Sequence, residues 1–224
     1  MSETVVLEDI AFEAELGRLL GRLRLKPGTA DAKQARDFLE RARAMARPKA
    51  AVRAAAVERW EGNRVMIAGQ AFEGRALREN LQGVERVFGL LATCGAELEE
   101  RPAEANEPLT QYWWDAIGEE ALQCAVAAAE GYILGVWGVK TISLLCPGAL
   151  PDWPIEEQRP LFALLGEGPG RIGVRLTKSL LMLPAKSLSA MVFPSQRRLE
   201  PCERCRRQKC PARRAPYDAA HHGR

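Results

Sequence analysis

Residues 145–193 read LCPGALPDWPIEEQRPLFALLGEGPGRIGVRLTKSLLMLPAKSLSAMVF, and they string five unusual local patterns together in a fixed order. Pro147-Gly148 marks a turn, and Asp152-Trp153-Pro154 follows it. Next comes a glutamate-rich amphipathic stretch from Ile155 to Leu165 that predicts a helix, then a short strand from Arg171 to Leu176 running into Thr177-Lys178-Ser179. Met182-Leu183-Pro184 follows. Ser187-Leu188-Ser189 then opens a strand that runs to Phe193.

Outward from this stretch the elements are mixed. Leu16, Leu19, Leu20 and Leu23 recur at helical spacing and predict a helix that ends before Lys26-Pro27-Gly28. Asp31 is placed to cap a second helix, with Ala35, Phe38, Leu39 and Ala42 as its buried stripe and Pro48 beyond its end. Two strands are expected between Ala50 and Gly69, joined near Glu61-Gly62-Asn63, and a buried strand from Val87 to Thr93. A long helix starts near Asn106-Glu107-Pro108, since proline is tolerated in a first turn. Its expected buried face is Ile117, Ala121, Ala125, Ala128 and Tyr132, with Cys124 at the edge as a small core residue. A strand from Thr141 to Leu145 follows. There is no internal repeat and no regular βαβ rhythm, so the class is α+β.

Order and spacing in residues 145–193 resemble the activation domain of cobalamin (vitamin B12)-dependent methionine synthase, including small free-standing members of that family. The match is best from Arg171 to Phe193, where Leu176-Thr177, Ser179, Met182, Pro184, Ser187 and Ser189 stand where the family has LTES, M-x-P and an S-x-S strand. Thr93-Cys94-Gly95 and Asp115 also fit the free-standing members. The resemblance implies a twisted, mostly antiparallel sheet with flanking helices. It further implies a role in returning oxidised cobalt of a corrinoid protein or cobalamin-dependent methyltransferase to its active reduced state, beside S-adenosylmethionine. On this basis Pro147, Gly148, Asp152, Trp153, Thr177, Ser187 and Ser189 are the candidate cofactor-binding residues.

The departures from the family pattern are specific. The family's R-x-x-P-G-Y loop grips adenosylmethionine with a guanidinium and an aromatic ring, and the matching positions here are Leu144, Pro147, Gly148 and Ala149. The turn is kept while both side-chain anchors are absent. Lys178 replaces the acid of LTES, and Val192 stands where a late aromatic is common. These changes argue against adenosylmethionine being held in the family's usual way. Trp153 could offer a ring face or simply pack on the 155–165 helix, Arg171 or Arg175 could supply a cation, and Ser187 and Ser189 share one strand face as ligand-facing or sheet-lining hydroxyls.

The 224 residues carry a net charge of +3, unevenly spread. Residues 197–224 hold nine Lys/Arg against three Asp/Glu, leaving 23 against 26 in the rest. This suggests a body over residues 1–196 and a basic, cysteine-rich tail over 197–224. Cys202-x2-Cys205-x4-Cys210 places three thiolates close together, the x2 step being the usual metal-knuckle geometry, and Cys146 is a candidate fourth ligand for zinc or an iron-sulfur cluster. Reversible disulfide chemistry and the absence of any role are the other readings. The basic residues would favour thiolates and suit an acidic partner such as a corrinoid protein, flavodoxin or ferredoxin.

The absence of histidine at the knuckle's further positions lowers the nucleic-acid reading, and no nucleophile-base-acid set is visible. The start, Met1-Ser2-Glu3-Thr4, lacks a basic and apolar leader, and no run suits a membrane span, so a cytoplasmic protein is expected. Three functions therefore stand: a reductive activator of a corrinoid protein, an adenosylmethionine-binding subunit of a split methionine synthase, and a non-catalytic zinc-stapled docking module.

Overall fold

A computed structural model describes residues 3–100, 102–150 and 152–199, together with 203, 215 and 216. Seven strands form one antiparallel, curled half-barrel sheet: β1 (Val5–Leu7), β2 (Lys49–Glu61), β3 (Arg64–Ile67), β4 (Gln70–Glu73), β5 (Arg86–Thr93), β6 (Ile142–Leu145) and β9 (Ser187–Pro194). Their order is β4-β3-β2-β5-β9-β6, with β1 beside β2. The thirteen-residue β2 carries two neighbours on one edge. Its first part pairs with β1, and its last part, from Val57, pairs with β3 through a bulge between Val57 and Arg59. A separate hairpin joins β7 (Arg175–Leu176) to β8 (Met182–Leu183).

Side chains alternate across the sheet and feed two apolar layers. Ala50, Val52, Phe88, Leu90, Ala190 and Val192 pack under α1 (Leu16–Leu23), α2 (Ala30–Met45) and α4 (Pro108–Trp137). Val87, Met191 and Phe193 face the opposite way, toward α3 (Arg75–Asn80) and α5 (Gln158–Leu165). The α+β class and the twisted antiparallel sheet with flanking helices are thus observed.

Several local expectations are corrected. Thr29, rather than Asp31, caps α2, because its Oγ1 accepts the Ala32 N–H at 3.2 Å. The buried face of α4 runs from Ile117, Ala121 and Ala125 to Ala129 and Ile133, leaving Ala128 and Tyr132 on the flank, since a 3.6-residue repeat drifts across thirty residues. The expected strand from Arg171 to Leu176 is shorter: Gly168–Arg171 is a helical turn, α6, and only Arg175–Leu176 pairs. Gly168 packs so close to Thr4 and Ala51 that a Cβ there would lie 2.7 Å from Thr4 Cγ2. Among the described residues, no helix is long and apolar enough to cross a membrane.

Candidate functional site

Strand β6 ends where Leu145 faces Met191. The chain then turns on Cys146–Ala149, with the Ala149 N–H bonded to the Cys146 carbonyl at 3.1 Å and the Gly148 N–H bonded to the Trp153 carbonyl at 2.8 Å. Gly148 sits at φ +79, and a Cβ on it would lie 2.8 Å from Ile155 Cδ1. Only glycine adopts this geometry without strain. Pro147 is buried while Gly148 and Ala149 are exposed, so the turn offers backbone to solvent from a rigid base.

The two residues that follow part company. Asp152 is exposed, its carboxylate 3.9 Å from Arg75 Nε, and its carbonyl accepts the Ala76 N–H at 3.5 Å. Trp153 is fully buried against Leu161, Leu164 and the β3–β4 hairpin. Gly74 permits that fit, since a Cβ there would lie 2.7 Å from Trp153 Cδ1. The packing alternative for Trp153 is therefore the observed one, and the expected ligand-facing ring is covered by protein. Burial raises the pKa of the neighbouring Glu157 carboxyl, opposed by the Glu73 N–H at 2.9 Å and by the nearby Trp153 indole.

On the β6 side of β9 the ladder stops at Met191, so among the described residues no strand lies beside Ser187–Ala190 on that edge. The Ser187 hydroxyl is 2.7 Å from the Pro184 carbonyl and 3.0 Å from Thr93 Oγ1. Ser189 shares its face and is buried. Thr177 closes the β7–β8 turn, accepting the Leu181 N–H at 2.9 Å and lying 3.1 Å from Ser179 Oγ. Arg159 at the start of α5 donates to the Lys178 carbonyl at 3.3 Å and so ties that turn to the helix that follows the Pro147-Gly148 loop. Arg171 and Arg175 are exposed.

Cys146 is half-buried and packs on the layer under α4. Cys202, Cys205 and Cys210 lie outside the described residues. Among the described residues, no group of three or more His, Cys, Asp or Glu side chains is arranged to hold a metal. Cys94 is deeply buried, which pushes its thiol up to about 12, and it is not a reactive group at neutral pH.

The links that fix the start of the tail were not visible in sequence. Ser143 Oγ accepts the Leu199 N–H at 2.8 Å and lies 2.8 Å from Ser195 Oγ, and Arg198 clasps both oxygens of Glu130 at 2.6 and 3.0 Å. No local signal pairs residues so far apart. Two sizeable concavities lie away from the Pro147-Gly148 turn: one of about 320 Å³ by Ala54–Ala56 and Trp137, the other of about 610 Å³ between residues 6–11 and α4.

With its half-barrel sheet covered by helices on one face and by the turn, α5 and a small hairpin on the other, the chain has the fold of a methionine synthase reactivation domain. It is similar to the MetH reactivation domain solved bound to AdoHcy, with a TM-score of 0.62 over 88% of this chain and 81% of that chain, at 16% sequence identity. No protein-family model and no curated protein sequence matches the chain.

Proposed function

We propose that this protein is an accessory factor that docks on a corrinoid protein or cobalamin-dependent methyltransferase and assists reductive return of its cobalt to the active state. The observation that carries this reading is the exposed Gly148–Ala149 backbone, set on a buried Pro147 beside the open half of β9 in a reactivation-domain fold. Such a ledge, with neither guanidinium nor aromatic ring at Leu144 and Ala149, suits contact with a large ligand edge held by a partner better than a tight grip on a small free one. Ser187, Ser189, Thr177 and Asp152 are, in this reading, the candidate polar contacts for that ligand edge. In this reading Cys202, Cys205 and Cys210, with Cys146 as a fourth, are the thiols available to zinc or iron and sulfide; metal and sulfide analysis of anaerobically purified protein decides between them.

The test is to mix the pure protein with a corrinoid protein in its cob(II)alamin state and a chemical reductant. Complex formation with faster loss of the cob(II)alamin absorbance supports the reading; neither binding nor acceleration overturns it.

A second reading is favoured by the AdoHcy bound to the structural neighbour. In it the chain is the adenosylmethionine-binding subunit of a split methionine synthase. Calorimetry with adenosylmethionine and AdoHcy tests it, and no heat at millimolar ligand sinks it.

A further inference from the structure

On one edge of β2 the pairing with β1 stops at Val52 and the pairing with β3 starts at Val57. The stretch between them lines a cavity of about 320 Å³, a size that accepts a small organic molecule. Two cations border it, Arg53 of β2 and Arg86 of β5, against one acid, Glu58. Glu58 is already engaged, since its Oε1 accepts the Gly69 N–H at 3.0 Å. The other walls are Ala54–Ala56, Ala68 and Trp137, which are apolar. We propose that this cavity binds a flat organic anion, an aromatic carboxylate, with its ring against the alanines and its carboxylate on Arg86.

Arg86 is already oriented for that contact. Its Cζ lies 4.7 Å from the centroid of the Trp137 ring, and that ring meets Phe88 edge-on at 5.6 Å. A guanidinium stacked before the ligand arrives loses less freedom on binding. Arg86 is exposed, and among the described residues no carboxylate is ion-paired with it. Arg53 adds a second donor. Its Nη1 is bonded to the Leu164 carbonyl at 2.6 Å, while its Nε is buried with no partner among the described residues. Buried donors are nearly always paired, so an unpaired one on a residue that lines a cavity marks a place for an acceptor. Ala68 stands at φ +47 in the β3–β4 turn, where asparagine or glycine is usual, so an apolar side chain occupies this wall at a conformational cost.

The two kinds of wall together select the ligand. A bare inorganic anion would leave the apolar walls uncovered, and a neutral ring would leave both guanidinium groups without an acceptor. A ring that carries a carboxylate meets both, and its pull on exposed Arg86 weakens as salt rises. None of the lining residues falls within residues 145–193, so this inference does not depend on the proposed corrinoid role.

Nuclear magnetic resonance titration of the full chain with naphthoate, and with its uncharged amide naphthamide, tests the proposal. Naphthoate should give saturable shifts of the Trp137 indole N–H, identified by its absence in Trp137→Phe, and of the amides of residues 53–56. Naphthamide should bind at least about tenfold more weakly, which is what one charge-assisted hydrogen bond contributes. Arg86→Gln should weaken naphthoate by about the same factor. Ala56→Phe, at an exposed strand position that tolerates an aromatic side chain, should fill the cavity and abolish the shifts. No saturable shift at millimolar naphthoate, shifts centred elsewhere, or equal affinity for the amide overturns the proposal. So does unchanged affinity in either variant whose circular dichroism matches the parent, and so does an equal response to inorganic phosphate.

Discussion

Leu144 of β6 and Val192 of β9 are directly opposed in the antiparallel ladder, and both pack on the apolar layer under α4. In the resemblance read from the sequence they match positions where the family pattern carries an arginine and a late aromatic residue. The two side chains form an aliphatic cross-strand pair that contributes to sheet packing.

Introducing a guanidinium at Leu144 should harm the fold. Leu144→Arg is expected to cost about 1–3 kcal/mol, because a charge enters a half-buried apolar position without a partner. Thermal melts of Leu144→Arg and Leu144→Met separate charge from shape; the methionine variant should lose less than about 1.5 kcal/mol. An arginine variant as stable as the parent would refute the account.

The Pro147-Gly148 turn and the buried Trp153 should respond as one unit. Gly74→Ala drives a methyl group into Trp153 Cδ1 and the Asp152 carbonyl, for an expected loss of about 1–3 kcal/mol. Gly148→Ala forces a left-handed conformation on alanine against Ile155, for about 1–2 kcal/mol. Denaturant titration of the two single variants and the double should show non-additivity, since Trp153 accepts the Gly148 N–H and touches Gly74. Strict additivity would mean that the two sites are uncoupled.

Glu120 is a buried carboxylate on α4 held by Arg18 at 2.8 Å and Arg22 at 3.1 Å, both from α1. Removing Arg18 alone, which is largely exposed, should cost under about 1 kcal/mol. Removing both arginines leaves the charge buried and unpaired, for an expected loss of about 3–5 kcal/mol. A double variant that unfolds no more readily than Arg18→Ala would show that solvent reaches Glu120.

Burial raises the pKa of two groups, Glu157 and Cys94. Glu157 has a raised pKa from burial, so its charged form is the disfavoured one in the fold. The folded protein then binds the proton more tightly than the unfolded chain. Stability from this group is present below the ordinary value of 4.5 and is lost as pH rises through the raised folded value. Urea titrations should show Glu157→Gln gaining on the parent as pH rises from acid to neutral, with the gap closing near pH 4. A constant gap would contradict the assignment.

Cys94, with its thiol raised to about 12 by burial, should resist thiol reagents in the native protein at mildly alkaline pH and react fully once unfolded. Timed alkylation followed by mass mapping checks this. Cys94 modification as fast as that of half-buried Cys124 would reveal an opening of the β5 end.

Sequence by itself determined the elements whose signals are local. The leucine spacing marked α1, Glu61-Gly62-Asn63 marked the β2–β3 turn, Pro108 opened α4, and Pro147-Gly148 marked the loop after β6. Each rests on backbone preference or on periodicity within a few residues, so each is written in consecutive positions. Tertiary structure alone decided the short strands β1, β4 and β8, the helix α3, the burial of Trp153 beneath Gly74, the opposition of Leu144 and Val192, and the fixing of Arg198 on Glu130. β1, β4 and β8, at two to four residues, carry no apolar run or turn signal strong enough to mark them, and contacts between residues tens of positions apart leave no local trace. They exist because the curled sheet brings distant segments together, and that closure is a property of the whole core.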